Sequence, residues 1–190
     1  MRVIAGALKG RTLQTPAWDG LRPTSDKLRE TLFNVLAPRI DGAWFLDGYA
    51  GTGAIGIEAL SRGAAHVTFV ENDPRAVRLI AENLRRCGVT DRYAIIRAKF
   101  SATATRRRDG REYDIIVLDP PYGAGELADA LAAAEPLMSS NSLLVVEHAK
   151  RDAAAPTSGT LLLARSLTSG DSALAFYRRG QGSAPAEDPS

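Results

Sequence analysis

The chain has 190 residues, of which 45% are hydrophobic, and its formal net charge is +2. This length suits one domain with a single core, and no apolar run approaches the roughly 20 residues of a membrane-spanning helix. The apolar start is too short for a signal peptide, and one cysteine, Cys87, excludes an internal disulfide framework. Cys87 is more simply explained by packing near a helix end than as a catalytic thiol. We expect a cytoplasmic monomer without membrane contact.

The positive charge is concentrated near the start of the chain. Residues 1–40 contain seven Lys or Arg and three acidic residues, which gives this segment +4 and leaves −2 for the rest. Such a basic face on a near-neutral body favours a polyanionic partner as strongly as it favours an ordinary solvated surface. The basic residues are Arg2, Lys9, Arg11, Arg22, Lys27, Arg29 and Arg39.

The first elements in chain order are short. Two apolar segments within residues 2–15 predict a strand pair or a small hairpin. Thr24 or Ser25 can then cap a helix, because apolar residues recur at helical spacing over 28–36.

From residue 43 the pattern changes to alternating strands and helices. The predicted strands are 44–46, 67–70, 93–96, 113–118 and 143–146, and the predicted helices are 55–60, 74–87 and 125–137. Near-continuous apolar strands in such alternation predict an α/β fold with a parallel sheet covered on both faces. Segments 161–163 and 174–177 predict an antiparallel edge, and the polar segment 181–190 predicts a disordered tail.

A glycine loop follows the first strand of this series. Gly51, Gly53 and Gly56 form G-x-G-x-x-G between a strand and a helix, and Glu71 ends the next strand. Glycines allow a tight turn and close backbone approach, and such an acid accepts hydrogen bonds from ribose hydroxyls. The pattern predicts a site for a nucleoside cofactor.

The acid at the mouth of this loop distinguishes between cofactors. A dinucleotide needs its pyrophosphate at the helix N-terminus, and the carboxylate of Asp47 would repel that group. S-adenosylmethionine carries no phosphate and has an ammonium and a sulfonium group. The loop therefore favours S-adenosylmethionine over NAD.

A rigid corner follows the strand at 113–118. Its sequence, Asp119-Pro120-Pro121-Tyr122, resembles the (Asp/Asn)-Pro-Pro-(Tyr/Phe) motif of methyltransferases that act on amino nitrogens conjugated to a ring or carbonyl. The Asp119 carboxylate and the Pro120 carbonyl can accept hydrogen bonds from both amino hydrogens, which points the nitrogen lone pair at the methyl donor. Tyr122 offers a face on which a flipped-out base can stack. We expect Asp119, Pro120 and Tyr122 to form the catalytic site.

Four further stretches, at residues 2–13, 21–36, 56–64 and 170–174, make the chain similar to the RsmD family of bacterial enzymes. These enzymes methylate N2 of one guanine in 16S ribosomal RNA. The resemblance implies a class I S-adenosylmethionine-dependent methyltransferase fold, a Rossmann-like sheet of seven strands, mostly parallel with an antiparallel edge. It also implies an RNA-engaging hairpin–helix extension at 1–42, a methyltransferase domain at 43–180 and the tail at 181–190.

The resemblance assigns residues to two binding sites. We expect the cofactor to contact Asp47, Ala50, Gly51, Thr52, Gly53, Gly56, Glu71, Asn72, Phe100 and Asp119. We expect RNA, in a partly or fully assembled 30S subunit, to contact Arg2, Lys9, Arg11, Arg22 and Thr24. Arg106, Arg107, Arg108 and Arg111 fit a solvated loop better than an RNA contact.

Two positions depart from the usual pattern of the family. Gly48 and Tyr49 stand where the family usually has Leu and Phe, and Lys99 stands where it tends to have Asp or Asn near the adenine. Because a lysine cannot accept a hydrogen bond from the adenine amino group, we expect that contact to come from the backbone or to be lost.

Other chemistries remain open at this point. Adenine-N6 methylation of RNA or DNA uses the same motif, although a DNA enzyme usually adds a target-recognition domain. Protein glutamine methylation usually has Asn at position 119, and a non-catalytic RNA-binding assembly factor would not need Asp119 and Tyr122. We expect no metal, since no His or Cys cluster has ligand spacing, and we expect Glu58 and Glu147 to be structural.

Overall fold

The computed structural model describes residues 1–16, 18, 25–102, 112–121, 124–152 and 154–180. In this part of the chain the α-helices are α1 (Asp26–Leu36), α2 (Ala54–Ser61), α3 (Pro74–Cys87) and α4 (Ala124–Ala134). The strands are β1 (Trp44–Gly48), β2 (His66–Glu71), β3 (Tyr93–Arg97), β4 (Tyr113–Leu118), β5 (Met138–Ala149), β6 (Thr157–Ser158), β7 (Leu161–Ser169) and β8 (Ser172–Arg179). Short 3-10 turns occupy Ala37–Arg39, Phe100–Ala102 and Glu135–Leu137.

The strands form one sheet in the order β3-β2-β1-β4-β5-β8-β7-β6. The first five are parallel, and β8, β7 and β6 complete an antiparallel edge. This confirms the predicted α/β sheet. The predicted count of seven strands is wrong, because the two residues of β6 pair with β7 as an eighth. A two-residue strand is too short to leave a periodic pattern in the sequence.

The order of the parallel strands creates a switch point between β1 and β4. The chain runs outward from β1 through β2 to β3, then returns to place β4 on the other side of β1. In open α/β sheets, ligands bind outside the carboxyl ends of the strands at such a point. The glycine loop after β1 and the proline corner after β4 therefore lie at the same edge.

Local signals explain where α3 begins and ends. Asp73 caps the helix by accepting the N–H of Arg75 at 2.8 Å, and Pro74 occupies the first turn. Gly88 ends it with a φ of 73°, in the left-handed region that glycine adopts without strain. The apolar face, including Ile80 and Leu84, is buried.

Alternate residues of each strand face opposite sides of the sheet. Val117 of β4 and Val145 of β5 belong to the core cluster formed with α1, α2 and α3. Leu118 and Val146, one residue further along each strand, belong to the cluster formed with α4. The central strands of the sheet are thus buried on both faces, as continuous apolar strands predict.

The predicted strand pair near the start of the chain is present as a single antiparallel bridge between Arg2 and Thr12. The backbone N–H of Val3 donates to the C=O of Arg11 at 3.0 Å, and the N–H of Leu13 donates to the C=O of Met1 at 3.0 Å. We call residues 1–14 the N-terminal hairpin.

The N-terminal hairpin is bound to α2 by buried polar side chains. The Glu58 carboxylate accepts the backbone N–H groups of Ile4 at 2.7 Å and Ala5 at 2.9 Å. Ser61 adds three contacts: its C=O accepts the N–H of Ala7, and its hydroxyl accepts the N–H of Leu8 and donates to the C=O of Ala5. Glu58 thus has the structural role expected from the sequence.

Among the described residues, no helix combines the length and the apolar character that crossing a membrane requires. The tail expected at 181–190 lies outside the described residues.

Candidate active site at the carboxyl edge of the sheet

Four carboxylates lie at the carboxyl ends of four neighbouring strands. In sheet order they are Glu71 at the end of β2, Asp47 in β1, Asp119 directly after β4, and Glu147 near the end of β5. The register pairs Leu118 with Val146, so the next residues, Asp119 and Glu147, are neighbours across β4 and β5. We call these four side chains the carboxylate row. A cation bound at the switch point would favour the ionised forms of these side chains.

Asp47 anchors the glycine loop from within the sheet. Its side chain is buried, and Oδ2 accepts the backbone N–H of Gly56 in the first turn of α2 at 2.8 Å. Burial raises the pKa of Asp47 well above its usual value, and the charges of Asp119 and Glu71 add to the increase. The Gly56 N–H opposes this by favouring the charged form.

Glu71 holds the other side of the loop. One of its carboxylate oxygens accepts the N–H of Gly51 at 2.8 Å. The other oxygen accepts the N–H groups of Asn72 at 2.7 Å and Asp73 at 2.8 Å. An ionised carboxylate has about four acceptor positions, so Glu71 keeps capacity for one further donor.

The remaining loop residues place α2 against the sheet. Ala50 donates its N–H to the C=O of Val70 at 3.0 Å, and Gly53 begins the helix with a φ of 76°. At Gly56 the helix passes so close to β2 that a Cβ would collide with the ring of Phe69. The third glycine of the motif therefore permits close helix–strand packing.

A hydrogen bond connects Thr52 to α3. Its side chain is buried, and its backbone C=O accepts a hydrogen bond from the Asn83 side-chain amide at 2.9 Å. Asn83 was absent from the sequence-based site, because nothing in its local pattern indicates a partner in this loop.

An open pocket of about 480 Å³ lies beside Glu71, where β2 and β3 end. It is lined by Asn72, Arg97, Ala98, Lys99, Ser101 and Ala102. Asn72 is thus placed where the sequence analysis expected a cofactor contact. Phe100 is not among the lining residues; it is buried, and its ring centroid lies 5.4 Å from that of Tyr49.

Asp119 lies in the middle of the carboxylate row. Burial is the main cause that raises the pKa of Asp119 to about 8, and the neighbouring charge of Glu147 adds to the increase. Pro120 is buried and Pro121 is exposed. Tyr122, the third expected catalytic residue, lies outside the described residues.

Glu147 extends the site beyond the residues that the sequence analysis selected. Only 6% of its surface is exposed, and its charge acts on Asp119. Glu147 directly follows the predicted strand 143–146, and no local signal marks it, because its proximity to the proline corner depends on the order of the strands in the sheet.

The expected RNA contacts are only partly within the described residues. Arg2, Lys9 and Arg11 are all exposed on the N-terminal hairpin. Arg22 and Thr24 lie outside the described residues, as do the four arginines at 106–108 and 111. Among the residues that the structure describes, no group of His, Cys, Asp and Glu side chains could hold a metal ion.

Comparisons with known proteins match nearly the whole chain. A family model described as "Conserved hypothetical protein 95" matches residues 1–178. YlbH of Bacillus subtilis (strain 168) is 35% identical over 184 residues, which cover 94% of this chain and 99% of that protein. Ribosomal RNA small subunit methyltransferase D of Escherichia coli (strain K12) is 34% identical over 190 residues, covering 98% of this chain and 94% of that protein.

A solved structure gives the same result in three dimensions. The structure of yhhF from Escherichia coli superposes with a TM-score of 0.82 and 34% sequence identity, covering 95% of this chain and 98% of that one. A match of this extent includes the glycine loop, the proline corner and the N-terminal hairpin. The chain belongs to the matched family, the RsmD family.

Proposed function

We propose that this protein transfers a methyl group from S-adenosylmethionine to the exocyclic N2 of one guanine in 16S ribosomal RNA. The observation that carries the proposal is the carboxylate row beside a glycine loop at the switch point of the sheet. The name of the Escherichia coli relative, Ribosomal RNA small subunit methyltransferase D, supports small-subunit ribosomal RNA as the substrate.

The residues at this edge fit S-adenosylmethionine better than a nucleotide that carries phosphates. A pyrophosphate at the switch point would be repelled by Asp47 and Asp119 in their ionised forms, whereas the cationic ammonium and sulfonium groups of S-adenosylmethionine favour those forms. The remaining acceptor capacity of Glu71 suits a ribose hydroxyl, and the pocket beside Asn72 suits the adenine. When bound, the cofactor supplies a methyl group that is already activated on sulfur.

Asp119 and Pro120 would act on the guanine by positioning its amino group. That nitrogen is a weak nucleophile because its lone pair is delocalised into the ring. Two acceptors, the Asp119 carboxylate and the Pro120 carbonyl, would orient both amino hydrogens and aim the lone pair at the methyl donor. The methylated nitrogen releases its proton readily, so this positioning needs no strong base.

We further propose that residues 1–42 engage the RNA and that residues 43–180 form the methyltransferase domain. The exposed positions of Arg2, Lys9 and Arg11 support this division. The substrate would be 16S ribosomal RNA in a partly or fully assembled 30S subunit, modified in the cytoplasm by a monomeric enzyme.

The substitution Asp119→Ala tests the catalytic assignment. It should abolish methyl transfer to 16S ribosomal RNA, while the calorimetric affinity for S-adenosylmethionine stays within a few-fold of the wild type. Glu112→Ala, at the opposite end of β4, is the matched control and should keep full activity. Substantial turnover by Asp119→Ala would contradict the positioning role.

The target base is tested by mass mapping of 16S ribosomal RNA from a strain that lacks the gene. We expect one guanine to lose its N2 methyl group and to regain it on complementation with the wild type. Loss of an adenine methyl group would identify the adenine-N6 alternative instead. An unchanged methylation pattern would identify a non-catalytic assembly factor.

A further inference from the structure

One buried side chain, that of Asn83 on α3, contacts both the N-terminal hairpin and the cofactor loop. Its carboxamide is fully buried. Its oxygen accepts the backbone N–H of Gln14 at 2.7 Å, and its nitrogen donates to the C=O of Gln14 at 3.2 Å. The same nitrogen donates to the C=O of Thr52 at 2.9 Å. A single rigid amide therefore joins two segments that are far apart in the sequence.

The Gln14 side of this bridge belongs to the segment that carries the exposed basic residues. The Leu13 N–H donates to the C=O of Met1, and the Val3 N–H donates to the C=O of Arg11. A displacement of the hairpin strand that holds Arg11 therefore moves the backbone that Asn83 binds.

The Thr52 side of the bridge belongs to the loop proposed to hold the cofactor. The preceding residue, Gly51, donates its N–H to the Glu71 carboxylate at 2.8 Å. The loop is thus fixed between an acid at the end of β2 and an amide on α3. Loss of either support would leave the loop less ordered before it binds a ligand.

We propose that Asn83 is a positioning residue that couples RNA binding at the N-terminal hairpin to cofactor binding at the glycine loop. This inference rests on the proposed function. RNA bound to the hairpin would further restrict the motion of the Gln14 backbone and, through Asn83, that of the Thr52 carbonyl. Cofactor binding then has less ordering entropy to overcome, so the two ligands bind with positive cooperativity.

The coupling is measured in a thermodynamic cycle. The affinity for S-adenosylhomocysteine, which cannot react, is determined by calorimetry with and without unmethylated 30S subunits from a strain that lacks the gene. Wild-type protein should bind it at least about fivefold more tightly in the presence of the subunits, within the usual range of allosteric coupling. The affinity of the protein for the subunits should increase by the same factor when S-adenosylhomocysteine is present, because coupling is reciprocal.

Two substitutions at position 14 separate the bridge from other effects. Gln14→Pro removes the N–H that donates to Asn83 and keeps only the longer hydrogen bond to the Gln14 carbonyl; we expect the coupling factor to fall well below the wild-type value. Gln14→Ala removes only a side chain that makes none of these bonds, and it should keep the wild-type factor. Equal coupling in both variants would overturn the inference.

A second measurement does not need RNA. Amide hydrogen exchange should show that S-adenosylhomocysteine slows exchange in residues 1–14 of the wild type and of Gln14→Ala, but not of Gln14→Pro. Slowing confined to the glycine loop in all three proteins would overturn the coupling. Wild-type protein that binds S-adenosylhomocysteine but not 30S subunits would overturn the proposed function, and this inference with it.

Discussion

The Phe100 ring fills the space that a side chain at position 48 would need. A Cβ built on Gly48 would lie 2.9 Å from two carbons of the ring, and it would collide with Leu118. The neighbouring residues Phe100 and Leu118 therefore leave no space for the Leu that the family resemblance leads us to expect at position 48. Gly48 and Phe100 are both buried, and the Phe100 ring packs against the ring of Tyr49, the next residue of the loop.

Restoring the family's usual residue at this position should destabilise the protein. Gly48→Leu inserts a side chain into a packed core, which typically costs about 1–3 kcal/mol in the free energy of unfolding. The loss in the double variant Gly48→Leu with Phe100→Ala should be smaller than the sum of the two single losses, because the ring carbons that collide are absent. Urea denaturation gives these values.

The matched control for this prediction is Gly125→Ala. Position 125 lies in α4, and a Cβ there would meet no atom within 4 Å. This substitution should raise the free energy of unfolding by about 0.5–1 kcal/mol through helix propensity. If the Gly48→Leu variant is as stable as the wild type, then Phe100 and Leu118 can move aside without cost, and the prediction is wrong.

Removal of the Glu71 carboxylate should weaken cofactor binding. Glu71→Ala loses the acceptor proposed for the ribose and releases the Gly51 N–H. We expect a loss of about 1.5–3 kcal/mol in binding free energy, the usual range for hydrogen bonds to charged groups. Calorimetric titration with S-adenosylmethionine measures it. Glu82→Ala on α3, which loses only exposed ion pairs with Arg85 and Arg86, should bind normally.

Methyl transfer should increase with pH as Asp119 loses its proton. The protonated carboxyl would donate a hydrogen bond where the mechanism requires an acceptor. Since burial and Glu147 raise the pKa of Asp119 to about 8, kcat/KM should rise with a midpoint no higher than that value. The positive charge of the bound cofactor lowers the midpoint. Glu147→Gln should move the midpoint to lower pH, because it removes a like charge, whereas Glu112→Gln should not.

The free energy of unfolding should decrease as pH rises, whereas the rate of methyl transfer should increase. The unfolded pKa of an aspartate is about 3.9, so between that pH and about 8 the folded protein holds a proton that the unfolded chain releases. Stability contributed by Asp119 therefore falls as pH rises through this window. In urea denaturation, the Asp119→Asn variant should have the same free energy of unfolding as the wild type near pH 4 and a larger one near pH 9. A value of kcat/KM for methyl transfer by the wild type that stays constant between about pH 4 and about pH 8 would contradict the raised pKa of Asp119.

Charge on the N-terminal hairpin should determine RNA affinity without affecting the cofactor. Each lost phosphate contact lowers the slope of log K against log salt by about 0.7–0.9, so Lys9→Ala with Arg11→Ala should flatten it by up to about two units. S-adenosylmethionine affinity should not change. The paired control, Arg165→Ala with Arg178→Ala, removes two exposed charges from β7 and β8. If both pairs of substitutions leave the slope unchanged, the hairpin charges form an ordinary solvated surface.

Elements with strong local signals were predictable from the sequence. Helix α3 has a proline in its first turn and a glycine after its last, and β4 is a compact apolar run, so both were predicted at their observed bounds. Strand β5 is longer than its predicted apolar segment at 143–146. Its outer residues are polar and are held in the sheet by pairing, as in the pair of Glu147 with Leu174.

The site was predictable where it follows a motif and not where it depends on tertiary contacts. The glycine loop and the proline corner could be identified because each motif follows a strand. Asn83 and Glu147 could not, because their importance comes from neighbours that the fold brings close. Gln14 and Asn83, for example, are 69 residues apart, and no local periodicity encodes that contact.

The N-terminal hairpin has consequences for the order of events during protein synthesis. Its partner Glu58 follows Ile4 by 54 residues, and its partner Asn83 follows Gln14 by 69. The hairpin can form its internal hydrogen bonds at once, but its bonds to α2 and α3 must wait until those helices have also been synthesised. The basic surface takes its final form only after the glycine loop and its supporting helices have been made. In a nascent chain that ends before α3, Lys9 and Arg11 are consequently carried by a hairpin that is not yet joined to the glycine loop.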